Sequence, residues 1–228
     1  MNQEFTSNRR AKLGLALQSG DAVILFAKPE ANLEKFTQDN NFLYLTGLNT
    51  PEAILLLLKN AENVTEMLFI ERGIPEREVW DGKKLTKAEA TELSGITRVY
   101  YKDEFMDYLS VYAPGLKRVY ANIGSRDLSK PVSYPLFALK PLSKRYPSVL
   151  IDDISAVLTP LRKIKDDWEI AQLQKAIDIT GKGILDIMET ATAGMMEYEL
   201  EAILFYRMQR SGAKTWGFSP IIASGINA

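Results

Sequence analysis

Residues 39–71 read DNNFLYLTGLNTPEAILLLLKNAENVTEMLFIE, and this stretch decides the fold. It holds three short apolar runs, Phe42–Thr46, Ala53–Leu58 and Glu66–Glu71, separated by Gly, Pro and Asn. Short apolar runs bounded by turn formers predict buried β-strands. Gly47 is expected to turn the chain between the first two runs, at a positive φ that favours glycine. Pro51 is expected to open the second strand, where its missing N–H does no harm.

Working outward, Arg9–Gln18 is predicted as a helix closed by Gly20. Asp21–Lys28, DAVILFAK, reads as another buried strand. Thr86-Lys-Ala-Glu89 has the spacing of a capping box, which places a helix from Thr86 to about Gly95. Further strands are expected at 97–101, 117–122 and 148–151, with a short helix after Asp103 and another over Leu136–Lys144. This alternation predicts an α/β fold, a largely buried sheet with helices on its faces. Beyond Asp153 the pattern turns helical. Asp166 is an N-cap candidate with Glu169 three residues on. The helix it opens is expected to reach Thr190, with Ile170, Leu173, Ile177, Ile184 and Ile187 on one face. A second helix is expected over Glu197–Arg210, stopped by Gly212, and residues 218–225 read as an edge strand, or a loop followed by a strand. Two helices and one strand bury no core of their own. The division is therefore placed after residue 155, with residues 156–228 expected to be the beginning of a second, truncated domain.

Composition excludes several function classes. The chain has 228 residues, 46% hydrophobic and 25% charged, with a net charge of -1. That balance argues against a broad nucleic-acid-binding or anionic-membrane surface. Cysteine and histidine are both absent, which removes disulfides, thiolate chemistry, cysteine zinc sites and any Ser-His-Asp or Cys-His pair. MNQEFTSNRR lacks the apolar stretch of a signal peptide, and Ala53–Leu58 is too short to span a bilayer. A cytoplasmic location is expected.

Four segments carry a resemblance. Residues 39–54 and the segment EREVWDGKKL at 76–85 resemble the N-terminal domain of the Xaa-Pro aminopeptidase (aminopeptidase P) family. LRKIKDDWEIA at 161–171 resembles the segment that opens that family's catalytic "pita-bread" domain. FSPIIASGINA at 218–228 is similar to the strand that precedes that domain's His-Tyr motif. The resemblance implies a mixed N-terminal sheet flanked by helices, of the creatinase and aminopeptidase P type, followed by the opening helices and first strand of an α+β pita-bread domain. It implies a dimetal hydrolase that removes an N-terminal residue followed by proline. Two ions, usually manganese, would be bridged by a hydroxide that attacks the scissile carbonyl. The family's ligands, two Asp, one His and two Glu, follow the point at which this chain stops. No catalytic or metal-binding residue is therefore assigned, and the chain alone is expected to be inactive. Peptides with proline at the second position are the implied partners, together with further copies of the chain in a homodimer or homotetramer. The alternatives are a catalytically inactive peptide-binding or chaperone-like module of the same architecture, a prolidase or a creatinase.

Two residues are candidates for substrate binding. Trp80 lies among charged residues beside Asp81-Gly82, where an exposed indole would serve as a binding anchor and a buried one would cap the end of the sheet. The resemblance implies that this Trp reaches a neighbouring subunit's active site. Arg162, whose planar fork holds a carboxylate or amide in two hydrogen bonds, and Lys165 occupy positions that in the family join the domains and shape the substrate groove. Many relatives have Asp where this chain has Asn41, so the contact with that Arg is expected to be weakened or taken over by Asp39. The acidic pairs Asp152-Asp153 and Asp166-Asp167 read as helix caps rather than metal ligands. Gly181-Lys182-Gly183 falls inside a helical pattern, so it is not a phosphate loop.

Overall fold

A computed structural model describes residues 3–30, 36–125 and 127–227. Ala228, the last residue of the segment 218–228 that resembles a strand of the family, lies outside them. The chain divides into two compact units, Met1–Ile164 and Lys165–Ala228.

The first unit is built on a six-stranded sheet. Its strands are β1 (Asp21–Phe26), β2 (Ile54–Asn60), β3 (Asn63–Ile70), β4 (Val99–Tyr101), β5 (Arg118–Ala121) and β6 (Leu150–Asp153), in the order β4-β3-β2-β1-β5-β6. β1, β2 and β3 pair antiparallel, with Ile24 opposite Leu56 and Leu56 opposite Met67. The pairs β1–β5, β3–β4 and β5–β6 are parallel. This is the mixed sheet that the resemblance implies.

Both faces are covered, and the two-residue period of the strands sorts the core. Val23, Leu25, Leu55, Leu57, Leu68 and Ile70 point to one side. There they meet α1 (Gln3–Ala16), α2 (Asn40–Thr46), α4 (Lys87–Ser94) and α8 (Ser155–Lys163). Ile24, Phe26, Leu56, Met67 and Phe69 point to the other side, toward α5 (Phe105–Tyr112) and α7 (Lys140–Arg145). Burial of each such side chain contributes about 1.5–3 kcal/mol. Two-sided burial explains why the strands read as continuous apolar runs rather than alternating ones. The remaining helices of this unit are α3 (Pro75–Asp81) and α6 (Tyr134–Ala138). α8, with Leu158 in the core, belongs to this unit, which continues past residue 155 to Ile164.

Several expectations are corrected. Phe42–Thr46 is helical, not a strand. Asp39 caps α2 by accepting from the backbone N–H groups of Asn41 and Phe42 at 3.0 and 2.8 Å. Gly47 does take a positive φ, 73°, but as the left-handed C-cap of that helix. Pro51 lies in the turn before β2 rather than in it. α1 ends at Ala16, so Gly20 shapes the turn into β1 instead of capping the helix. The strand expected at 148–151 is formed by Leu150–Asp153. Asp152 consequently sits in β6, 3.1 Å from Arg118 on β5, while Asp153 Oδ1 accepts from Ser155 N at 2.7 Å and leads into α8.

The second unit contains α9 (Asp167–Thr190) and α10 (Glu197–Arg210). Asp166 and Glu169 form the expected capping box. Gly183 lies at the close approach of the two helices, where an added Cβ would come within 2.5 Å of Leu204 Cδ1. Residues 218–224 form no strand, and Gly225–Asn227 is a 3-10 turn. No helix among the described residues is long and apolar enough to cross a membrane.

Candidate functional site

Arg162 stands in the last turn of α8, and its Nη1 donates to Asn41 Oδ1 at 2.6 Å. Asn41 Nδ2 in turn donates to Asn122 Oδ1, just past β5, at 2.7 Å. The contact expected to weaken is thus made through the neutral amide. Asp39 does not replace it, because its carboxylate caps α2.

Tyr44 packs beneath this network. It is buried, with the guanidinium carbon of Arg162 5.6 Å from its ring centre and that of Arg9 4.2 Å from it. Its hydroxyl donates to Leu161 O at 3.5 Å. Arg9 donates to Tyr44 O at 3.2 Å, and Arg10 donates to Leu45 O at 2.7 Å. The two arginines of α1 thereby satisfy carbonyls at the C-terminal end of α2, where positive charge is favoured. Arg10 is fully buried and pairs with Glu66 Oε2 at 2.8 Å. Desolvation lowers its pKa, and Glu66 opposes that shift. Sequence reasoning missed Arg9, Arg10, Tyr44 and Asn122 as parts of one network, because their contacts join residues far apart in the chain.

Trp80 lies on α3 and is 87% exposed. Pro75 in the first turn and the acidic residues Glu76 and Glu78 are the sequence signals that mark this helix. Among the described residues its ring makes no aromatic contact and its indole no hydrogen bond. The sheet-capping alternative is therefore not what the structure shows. The segment after α3 is held firmly. Glu78 Oε1 accepts from Lys84 N at 3.0 Å, and Lys84 Nζ lies 3.0 Å from both Glu30 and Glu71. Burial lowers the Lys84 pKa, but the hydrogen bonds to Glu71 and Glu30 outweigh that and leave it raised. Lys83 pairs with Glu89 at 2.9 Å. Trp80 is an exposed aromatic plate on a pinned helix, and the structure records no contact between it and Arg162.

Among the described residues, no group of three or more His, Cys, Asp or Glu side chains is placed to hold a metal ion. Asp166 is occupied as an N-cap, and Glu197 accepts from Ser224 N and Oγ at 2.7 and 3.1 Å. The described residues do not fit a dimetal centre.

Comparison with known proteins places this architecture. The aminopeptidase P N-terminal domain family matches residues 6–120, and metallopeptidase family M24 matches residues 171–228. The chain belongs to the aminopeptidase P family. The Xaa-Pro aminopeptidase of Escherichia coli K12 is 31% identical over 99% of this chain and 53% of its own length. Human Xaa-Pro aminopeptidase 3 is 30% identical over 83% of this chain and 38% of its own. A solved Bacillus anthracis structure assigned as an aminopeptidase P superposes with a TM-score of 0.93 at 35% identity, over all of this chain and 56% of that one. Escherichia coli aminopeptidase P in its low-pH form gives 0.84 at 27% identity, over 94% of this chain and 51% of that one. The chain spans about half the length of the relatives it matches.

Proposed function

We propose that the whole protein is a metal-dependent Xaa-Pro aminopeptidase, and that residues 1–155 are a non-catalytic α/β domain that helps form the substrate site. The division we propose follows the resemblance, with a second, catalytic domain beginning in the segment after residue 155. The observation that carries the reading is the order of the two family matches along one chain, with Trp80 displayed on α3 after the first sheet hairpin. The Xaa-Pro bond is a tertiary amide without an N–H, so strand-like backbone recognition has nothing to hold on the proline side. An exposed indole supplies what remains useful: a flat apolar face for the pyrrolidine ring and one N–H donor for a carbonyl. Trp80 and Arg162 are the residues proposed to touch substrate, Trp80 in a neighbouring subunit's site. A homodimer or homotetramer, two manganese ions and a cytoplasmic setting are the finer parts of the same reading, and they rest on the resemblance. The test is hydrolysis by the whole protein of a peptide beginning Xaa-Pro, with and without manganese, in wild type and Trp80→Ala. Metal-dependent cleavage impaired by the substitution supports the reading. Saturable peptide binding without hydrolysis would favour a binding module.

A further inference from the structure

On the sheet face opposite α2 and α8, the first unit holds a cavity of about 570 Å³. That volume lies within the range of small-molecule sites, about 300–1,000 Å³. Its base is formed by Phe26, Ile54 and Phe105, all buried in the core. Its upper wall is Tyr134 and Phe137 of α6. Tyr134 stands edge-on to Phe26 at 5.4 Å, and Phe137 is 66% exposed. Phe137 thus presents an open ring beside the aromatic floor.

Among the described residues, the charged part of the lining is entirely cationic. Lys102, Lys140 and Lys144 contribute, and no acidic residue does. Lys140 and Lys144 are four residues apart on α7 and so share a face. Among the described residues, no carboxylate lies within ion-pair distance of either. Lys102 is held differently. It pairs with Glu52, the one non-glycine residue among those described with a positive φ, 60°. This ion pair holds Lys102 at the cavity wall.

We propose that this cavity binds a small anionic amphiphile, an aromatic body carrying a carboxylate, with the ring among Phe26, Phe105 and Phe137 and the carboxylate on Lys140 and Lys144. Charge complementarity and the aromatic floor select this class over a neutral apolar ligand. The site is independent of the peptidase reading, since it shares no residue with the Arg162 network or α3.

The test is an NMR titration of the 228-residue chain with 4-phenylbutyrate, using 4-phenylbutan-1-ol as the uncharged control. Saturable shifts centred on Met106, Phe137 and Lys140 are expected, with the alcohol binding more weakly. Lys140→Ala/Lys144→Ala should weaken phenylbutyrate binding by at least about ten-fold, since each charge-assisted hydrogen bond lost accounts for about that factor. Both lysines are exposed, so folding should be unaffected, and thermal melting of the variant checks this. Non-saturable shifts, shifts centred on α9 and α10, or equal binding of the alcohol would overturn the proposal. So would sedimentation showing self-association that Phe137→Ser abolishes, because a second copy would then fill the cavity.

Discussion

Arg162 Nη1 donates to Asn41 Oδ1 at 2.6 Å, joining α8 to the first turn of α2 across 121 positions of sequence. The bond sets where the guanidinium lies, above Tyr44, while Asn41 is itself held by its bond to Asn122. A hydrogen bond to a charged group contributes about 1.5–3 kcal/mol. Asn41→Ala should therefore destabilise the chain by about 2 kcal/mol. Arg162→Ala should cost a similar amount, and the double variant should cost clearly less than their sum. Urea unfolding of the four proteins checks this, and strict additivity would show that the two side chains do not interact.

A second prediction concerns the buried pair. Glu66→Ala leaves the Arg10 guanidinium buried without its carboxylate. Loss of one partner of a buried pair costs about 3–5 kcal/mol, whereas replacing both by apolar residues can be nearly neutral. Because Glu66 is partly exposed, a loss of about 3 kcal/mol is expected. Arg10→Met/Glu66→Leu should recover most of it in the same unfolding assay.

The capping box of α4 makes a pH prediction. The Thr86 hydroxyl, the Thr86 backbone N–H and Lys83 together hold the Glu89 carboxyl down to about 2 from its ordinary 4.5. The folded-state pKa is depressed, so this stabilisation is fully present above pH 4.5 and is lost as pH falls toward 2. Thr86→Ala should return the Glu89 pKa toward 4.5, read from its carboxyl carbon shift in an NMR titration. An unchanged titration would show that the box does not set this value.

For Trp80 the expectation separates function from stability. The ring is exposed and without partners among the described residues, so Trp80→Ala should alter stability by no more than about 0.5 kcal/mol. In the whole protein the same change should reduce kcat/KM on a peptide beginning Xaa-Pro by about ten-fold or more, as befits a lost aromatic anchor. Unaltered kinetics with a large drop in melting temperature would return Trp80 to a structural role.

Much of this was legible from local pattern. The apolar runs at 21–28, 53–58 and 66–71 became neighbouring strands, and the boxes at Thr86 and Asp166 opened helices where their spacing said. What failed depended on information outside the segment. The five residues Phe42–Thr46, four of them apolar or aromatic, fit one strand or one and a half helical turns equally well. The cap at Asp39 and the arginines of α1 decided for the helix. The segment 218–224 has strand-forming residues, yet a strand exists only where another strand pairs with it. In the site, Arg162 and Trp80 were visible as unusual side chains. Their surroundings were not, because Asn122, Tyr44 and Arg9 reach Arg162 and its partner through tertiary packing alone.

The most direct test is the whole protein's specificity at the second position of its substrate. Release of the N-terminal residue should be followed from matched peptides with proline or alanine there, with manganese supplied and then chelated. Manganese-dependent release is expected from the proline peptide, with little from the alanine peptide and none after chelation. Equal cleavage of the two peptides, or cleavage that survives chelation, would contradict the Xaa-Pro aminopeptidase reading.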